Sequence, residues 1–196
     1  MRGMMAKLKH IVAALVAVLA LALPVWAQEQ VVHAPDDRAA ALDRLFADLA
    51  DPDNRTWRRS EADIRRLWSQ SGSAAMDLLY KRGEAALDAD DAELAVEHLT
   101  ALTDHAPEFA EGWHLRAVAL YKAGAVGPAV SDLQRVLALE PRHWTALSGL
   151  GTILEDIGSS ARALAAYRAS LALHPHQDAV KDAVARLERE LTGVSL

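Results

Sequence analysis

Histidines, carboxylates and serines are the side chains through which this 196-residue chain could act on a substrate or hold a metal, because it contains no cysteine. Without thiols there is no disulfide, no thiolate metal site and no cysteine nucleophile. His98, His105, His114, His143, His174 and His176 are scattered along the second half. None of them forms the helical pair four apart, backed by a glutamate, that a zinc site on one helix uses. His174 and His176 lie close, but Pro175 between them places the rings in a helix-ending turn rather than on one face. Ser148-Gly149-Leu150-Gly151 imitates the glycine-flanked serine of a hydrolase turn, yet no strand pattern precedes it. The pairs Asp36-Asp37 and Asp90-Asp91 stand beside expected helix starts, where carboxylates satisfy free N–H groups and favour the dipole. No nucleophile, base and oxyanion donors converge. The expectation is therefore a protein that is not an enzyme, with no cofactor and no metal.

An internal repeat carries these residues. Pro107, Pro141 and Pro175 are 34 apart; Ala95, Ala129 and Ala163 stand twelve before them, and Gly83, Ala117 and Gly151 twelve before those. Three agreeing registers define a repeat rather than a coincidence. In the second block Trp113, Ala117, Leu120 and Tyr121 recur at helical spacing, as do Val130, Leu133, Val136 and Leu137. Each block thus reads as two amphipathic helices. Gly124 and Gly158 fall where the first helix should end, and each proline stops the second. The small residues Gly83, Ala117 and Gly151 are expected to face Ala95, Ala129 and Ala163, letting the helices of a hairpin approach closely.

Aligned on these positions, the blocks 76–109, 110–143 and 144–177 resemble the tetratricopeptide-repeat family, whose signature sets Trp, Leu-Gly, Tyr, Ala, Phe and Pro at fixed offsets. The second block supplies Trp113, Ala117, Ala129 and Pro141; the third supplies Leu150-Gly151, Ala163, Tyr167 and Pro175. The first supplies Gly83, Ala95 and Pro107, with Leu79 and Leu99 at the bulky positions. Arg82 and Arg116 depart from the family's leucine. The resemblance spans about half of the chain and implies an all-α fold, a right-handed α-solenoid of three helical hairpins.

Around the array, Leu42, Leu45, Phe46 and Leu49 form one apolar stripe and Trp57, Ile64, Leu67 and Trp68 another, separated by Asp51-Pro52-Asp53-Asn54. This predicts an N-terminal helical hairpin over 36–75, a degenerate repeat capping the array. Its second helix carries Arg55, Arg58, Arg59, Arg65 and Arg66, read as a solvated face or as a surface that meets acids. Ala179, Val180, Ala183, Val184 and Leu187 give 178–196 the stripe of a polar-backed capping helix and tail.

At the start, Arg2, Lys7 and Lys9 precede the apolar run 11–23, then Pro24-Val25-Trp26-Ala27. The run is shorter than the roughly 20 residues of a spanning helix. Residues 1–27 have the layout of a secretory signal peptide cleaved after about Ala27, which predicts a periplasmic or secreted protein without a stable membrane anchor. Residues 28–35 read as a flexible leader. Removing the three basic residues takes the net charge from −6 to −9, which argues against nucleic acid as a partner.

In the family, the first helix of each repeat lines a concave groove that accepts a peptide or partner helix. Carried over by alignment, the groove consists of Asp77, Tyr80, Glu84 and Asp88; Glu111, His114, Val118, Tyr121 and Lys122; and Thr145, Ser148, Thr152 and Glu155. The lysine, arginine and asparagine clamp by which some members hold a C-terminal carboxylate is replaced by Tyr80, Glu84, Leu115, Thr145 and Gly149. The expectation is an adaptor or assembly factor whose acidic groove takes a basic peptide or protein with apolar anchors. The alternatives are a non-catalytic regulator of a cell-wall enzyme and a self-associating structural protein. The register itself is testable: Ala129→Leu should overpack the hairpin and cost about 1–3 kcal/mol, measured by thermal melting.

Overall fold

The computed structural model describes residues 35–193. The proposed signal peptide and nearly all of the leader lie outside them. Nine helices and no strand occur among the described residues: α1 (Pro35–Ala50), α2 (Trp57–Trp68), α3 (Ala74–Asp88), α4 (Ala92–His105), α5 (Ala110–Lys122), α6 (Val126–Leu139), α7 (Trp144–Asp156), α8 (Ser160–Leu173) and α9 (Asp178–Thr192). The helix starts at Ala110, Trp144 and Asp178 fall where the 34-residue register puts them. Asp90, Gly124 and Gly158, themselves 34 apart, have φ of 58°, 79° and 75°, so each turn inside a hairpin uses one left-handed residue. Aspartate replaces glycine in the first repeat because its short polar side chain tolerates that region. Asp91 caps α4, accepting a hydrogen bond from the Leu94 amide at 3.0 Å.

Consecutive helices from α3 to α9 pack on one another as a helical-repeat solenoid. The small residues do not simply face each other, as the sequence reading had it. A Cβ at Gly83 would stand 2.5 Å from Leu99 Cδ2, and one at Gly151 would stand 2.6 Å from the Tyr167 ring. Each glycine therefore makes room for a bulky residue sixteen positions later, on the second helix of its own hairpin. Ala95, Ala129 and Ala163 are fully buried beside these contacts.

Arg116 has a structural role that explains its departure from leucine. Its guanidinium grips Asp132 of α6 with two bonds of 2.7 and 2.8 Å, donates to Thr103 of α4 at 2.8 Å, and lies 4.6 Å from the Trp113 ring centre. Three helices are thus fixed by one satisfied buried ion pair, whose worth lies in register more than in raw stability. At the far end, α9 inserts Leu187 among Leu154, Leu164 and Tyr167 and leaves its charged side outward, as a cap should.

The N-terminal hairpin is placed differently from expectation. Instead of extending the array ahead of the first repeat, its apolar side chains pack on the second and third. Leu42, Phe46, Leu49, Ile64 and Trp68 form one core with Trp144, the first residue of α7. The Trp68 ring stacks on His143 with centres 4.3 Å apart, and Phe46 meets Trp144 edge-on at 5.9 Å. Trp57 stacks on His176 at 4.7 Å, and Arg142 reaches Asp43 at 2.6 Å. Bulky aromatics fill the space between α1 and α2, and the close backbone approach of the repeat hairpins is missing there. In α2, Ser60, Ile64 and Trp68 are buried, while Arg58, Arg59, Arg65 and Arg66 stay exposed.

His174 lies in this contact, buried against Trp144 and Trp57, with Nε2 3.6 Å from Glu61 and Nδ1 without a partner. Burial is the main influence and lowers its pKa; Glu61 pulls the other way, while His176 and Arg65 add to the lowering. With the folded-state pKa depressed, the unfolded chain binds the proton first. Stability present above about pH 6.5 is then lost as the pH falls through the imidazole range.

Gly83→Ala should destabilise the fold by about 1–2 kcal/mol, since overpacking against Leu99 outweighs the gain in helix propensity. Gly149→Ala, whose Cβ would have its nearest neighbour at 3.9 Å, should instead stabilise by about 0.5–1 kcal/mol; thermal melts of both decide it. Melting temperature should also fall on acidification from about pH 7.5 to about pH 5, and less steeply in His174→Gln.

Candidate protein-binding groove

The first helices of the repeats, α3, α5 and α7, carry all the residues assigned to the groove, and the structure sorts them into three groups, with Glu111 apart from all of them. His114, Val118, Tyr121, Thr145, Ser148 and Thr152 line one cavity of about 230 Å³ between α5 and α7. Its walls are completed by Ala117, Leu133, Gly149 and Ile153. The small residues at 117 and 149 open it, and Leu133 of α6 is its apolar floor. Val118 is 36% exposed at its edge. The hydroxyls of Ser148 and Thr152 donate to carbonyls of their own helix, Thr145 O at 3.1 Å and Ser148 O at 3.2 Å, so the cavity offers a ligand mainly apolar surface. No carboxylate lines it.

A second group is committed to internal bonds. Asp77 accepts from the Ser71 amide at 2.9 Å and hydroxyl at 2.6 Å, fastening the segment between α2 and α3. Lys122 pairs with Asp90 at 2.8 Å. Glu155 pairs with Arg186 of α9 at 2.5 Å and accepts from the Tyr167 hydroxyl at 3.2 Å. The Tyr121 hydroxyl is hydrogen-bonded to Asp156. Tyr80 is buried against Phe109, where burial first, and then Glu111 and Glu84, raise its pKa and keep it neutral.

Glu84 and Asp88 form the third group, exposed on α3. Burial of part of Glu84 raises its pKa, assisted by Glu111 and Asp88 and opposed by Tyr80 and Lys81. The acidic character expected along the whole groove is confined to this end and to Asp156.

Glu111 points inward, into a cluster that sequence reasoning missed. Its Oε1 is 3.2 Å from His114 Nδ1 and its Oε2 2.7 Å from His143 Nε2. Burial by itself raises the Glu111 pKa, but the charges and hydrogen bonds of the two imidazoles prevail and hold it well below the usual carboxylate range. Burial lowers the pKa of His143. The three donor atoms lie within 4.8 Å of one another, a separation compatible with a shared metal ion. The reading of the histidines as unrelated is corrected here. Glu111 and His114 already showed the three-residue helical spacing; His143, 32 residues from Glu111, is brought in by the stacking of successive repeats.

None of the described helices is long and apolar enough to cross a membrane. A sequence profile of the tetratricopeptide repeat matches residues 80–130 and 127–178. A TPR repeat-containing protein of Rhizobium etli is 33% identical over 155 residues, covering 78% of this chain and 75% of that protein. Among solved structures, the first TPR of Spaghetti bound to an HSP90 peptide aligns with a TM-score of 0.57 and 20% identity, over 60% of this chain and 93% of that one. MamA aligns with a TM-score of 0.58 and 19% identity, over 74% and 86%. With a repeat profile across α3 to α8 and a relative matched along most of both chains, this protein belongs to the tetratricopeptide-repeat family.

Proposed function

We propose that the protein is an exported adaptor that holds an extended segment of another protein across α5 and α7. The observation that carries this reading is the apolar cavity between those helices, whose size suits one or two aliphatic side chains rather than a drug-sized ligand. Binding of this type draws affinity from an anchor entering a desolvated pocket, with polar contacts at the rim setting register. Asp156, bonded to Tyr121 of the cavity wall, favours a basic residue beside that anchor, and exposed Glu84 and Asp88 on α3 add to the attraction, because fixed carboxylates steer cations.

Family membership supports a protein-interaction role, and the neighbour that holds an HSP90 peptide illustrates such binding on the same fold. The N-terminal layout of basic residues, a short apolar run and Ala27 supports export. The chemistry of the groove supports a binder rather than a catalyst, since its hydroxyls are engaged with backbone carbonyls and its one histidine faces Glu111.

Selection from a displayed library of unstructured peptides tests the site. The enriched sequences should share an aliphatic anchor next to Lys or Arg, and Val118→Glu should weaken them by at least about tenfold, or about 1.4 kcal/mol, with little change in melting temperature. Enrichment that survives Val118→Glu unchanged would place binding elsewhere.

A further inference from the structure

We infer that Glu111, His114 and His143 form a binding site for one divalent transition-metal ion, with zinc the ion their chemistry favours. Two imidazole nitrogens and a carboxylate oxygen are the donor set of open zinc sites, which keep one position for water. Adjacent ligands of a tetrahedral zinc stand roughly 3–3.5 Å apart, given bonds of about 2.0–2.2 Å. The three donors here already lie within 4.8 Å, so closure onto an ion needs small side-chain movements rather than a change of fold. Glu111 and His114 come from one turn of α5, while His143 immediately precedes α7, so the packing of two repeats presets the site.

Charge points the same way. Glu111 is a largely buried carboxylate whose ion pairs are to the two imidazoles, not to lysine or arginine. An ionised acid in such a place needs a compensating positive charge. A divalent ion bound by neutral imidazoles supplies one without protonating a ring that is 1% exposed.

The surroundings accommodate the tautomer that binding requires. Coordination through His143 Nε2 puts the ring proton on Nδ1, where Thr145 Oγ1, 3.1 Å away, accepts it. The Ala146 amide now donates to Nδ1 at 3.2 Å; on losing that contact it keeps the His143 carbonyl, also at 3.1 Å. The Trp68 ring, stacked on His143, seals the outer side. His114 lies on the wall of the α5–α7 cavity, which provides the entry path and the open fourth position.

The test uses the full chain purified without a histidine tag and stripped with chelator. Calorimetric titration with zinc chloride should show one equivalent bound, and cobalt(II) should give the intense visible d–d bands of a four-coordinate site. His114→Gln and Glu111→Gln should abolish both, with the helical circular dichroism retained in at least His114→Gln, whose side chain lies on the wall of the open cavity. Thr145→Val should lower the zinc affinity by about tenfold or more. His176→Gln, at the other close histidine pair, should leave binding intact. Absence of stoichiometric zinc, or zinc and cobalt signals that persist in His114→Gln, would overturn the assignment.

Discussion

Trp144 is the point on which the arrangement of the molecule turns. It begins α7, is almost wholly buried, and touches side chains from four other segments. Phe46 of α1 and Trp68 of α2 pack on its ring, Arg65 lies 5.6 Å from the ring centre, and His174 meets it edge-on. Its carbonyl accepts a bond from the buried Ser170 hydroxyl of α8 at 2.8 Å. Aromatic rings bury large areas and fix relative orientation, so a contact among Phe46, Trp68, His143 and Trp144 stabilises the hairpin's position far more than its peripheral ion pairs do. That position decides which part of the repeats' inner wall is covered. Trp68 of α2 covers His143 and Trp144 at the start of α7, whereas His114 to Tyr121 of α5 and Thr145 to Ile153 of α7 contribute the walls of the cavity.

The placement also explains the electrostatics. A chain with a net charge of −6 is expected from its sequence to present acids along the groove. Instead, Glu111 is shut in with two histidines by the Trp68 ring, Glu61 faces His174 under α2, and Glu155 is taken by α9. The arginines of α2 stay at the surface: Arg65 makes a local pair with Glu61 while its guanidinium lies over the edge of Trp144, and Arg66 makes a local pair with Asp63. Surface pairs of this kind contribute little, and the fold rests on buried pairs such as Arg116 with Asp132 and on packing.

Much of the fold was legible because its determinants are local and periodic. A glycine or alanine every 34 residues, and a proline two residues after each second helix, fix the hairpins and their ends before any long-range contact is considered. The hairpin's position was not legible in this way. The stripe of Trp57, Ile64 and Trp68 announces a buried face, but amphipathicity says nothing about the partner, and the partner here is 76 residues downstream of Trp68. The same limit hid the His143 end of the metal-type cluster. It also hid the inward turn of Glu111, since a position that lines the groove in a bare repeat becomes interior once a neighbouring helix lies over it. Conversely, Leu133 and Gly149 were read as packing residues, and they also line the apolar cavity between α5 and α7.

Backbone hydrogen exchange in α2 is the most direct measurement of this arrangement. A 12-residue helix carrying four arginines is too short to persist alone in water, so any protection of its amides must come from docking on Trp144 and His143. Exchange in Ile64 to Trp68 should be slow, on the scale of the first turn of α7, and should become fast in Trp144→Ala while α3 and α4 stay protected. Free exchange along α2 in the unsubstituted protein would show that the hairpin is not seated on the repeats, and the division of the inner wall described above would be wrong.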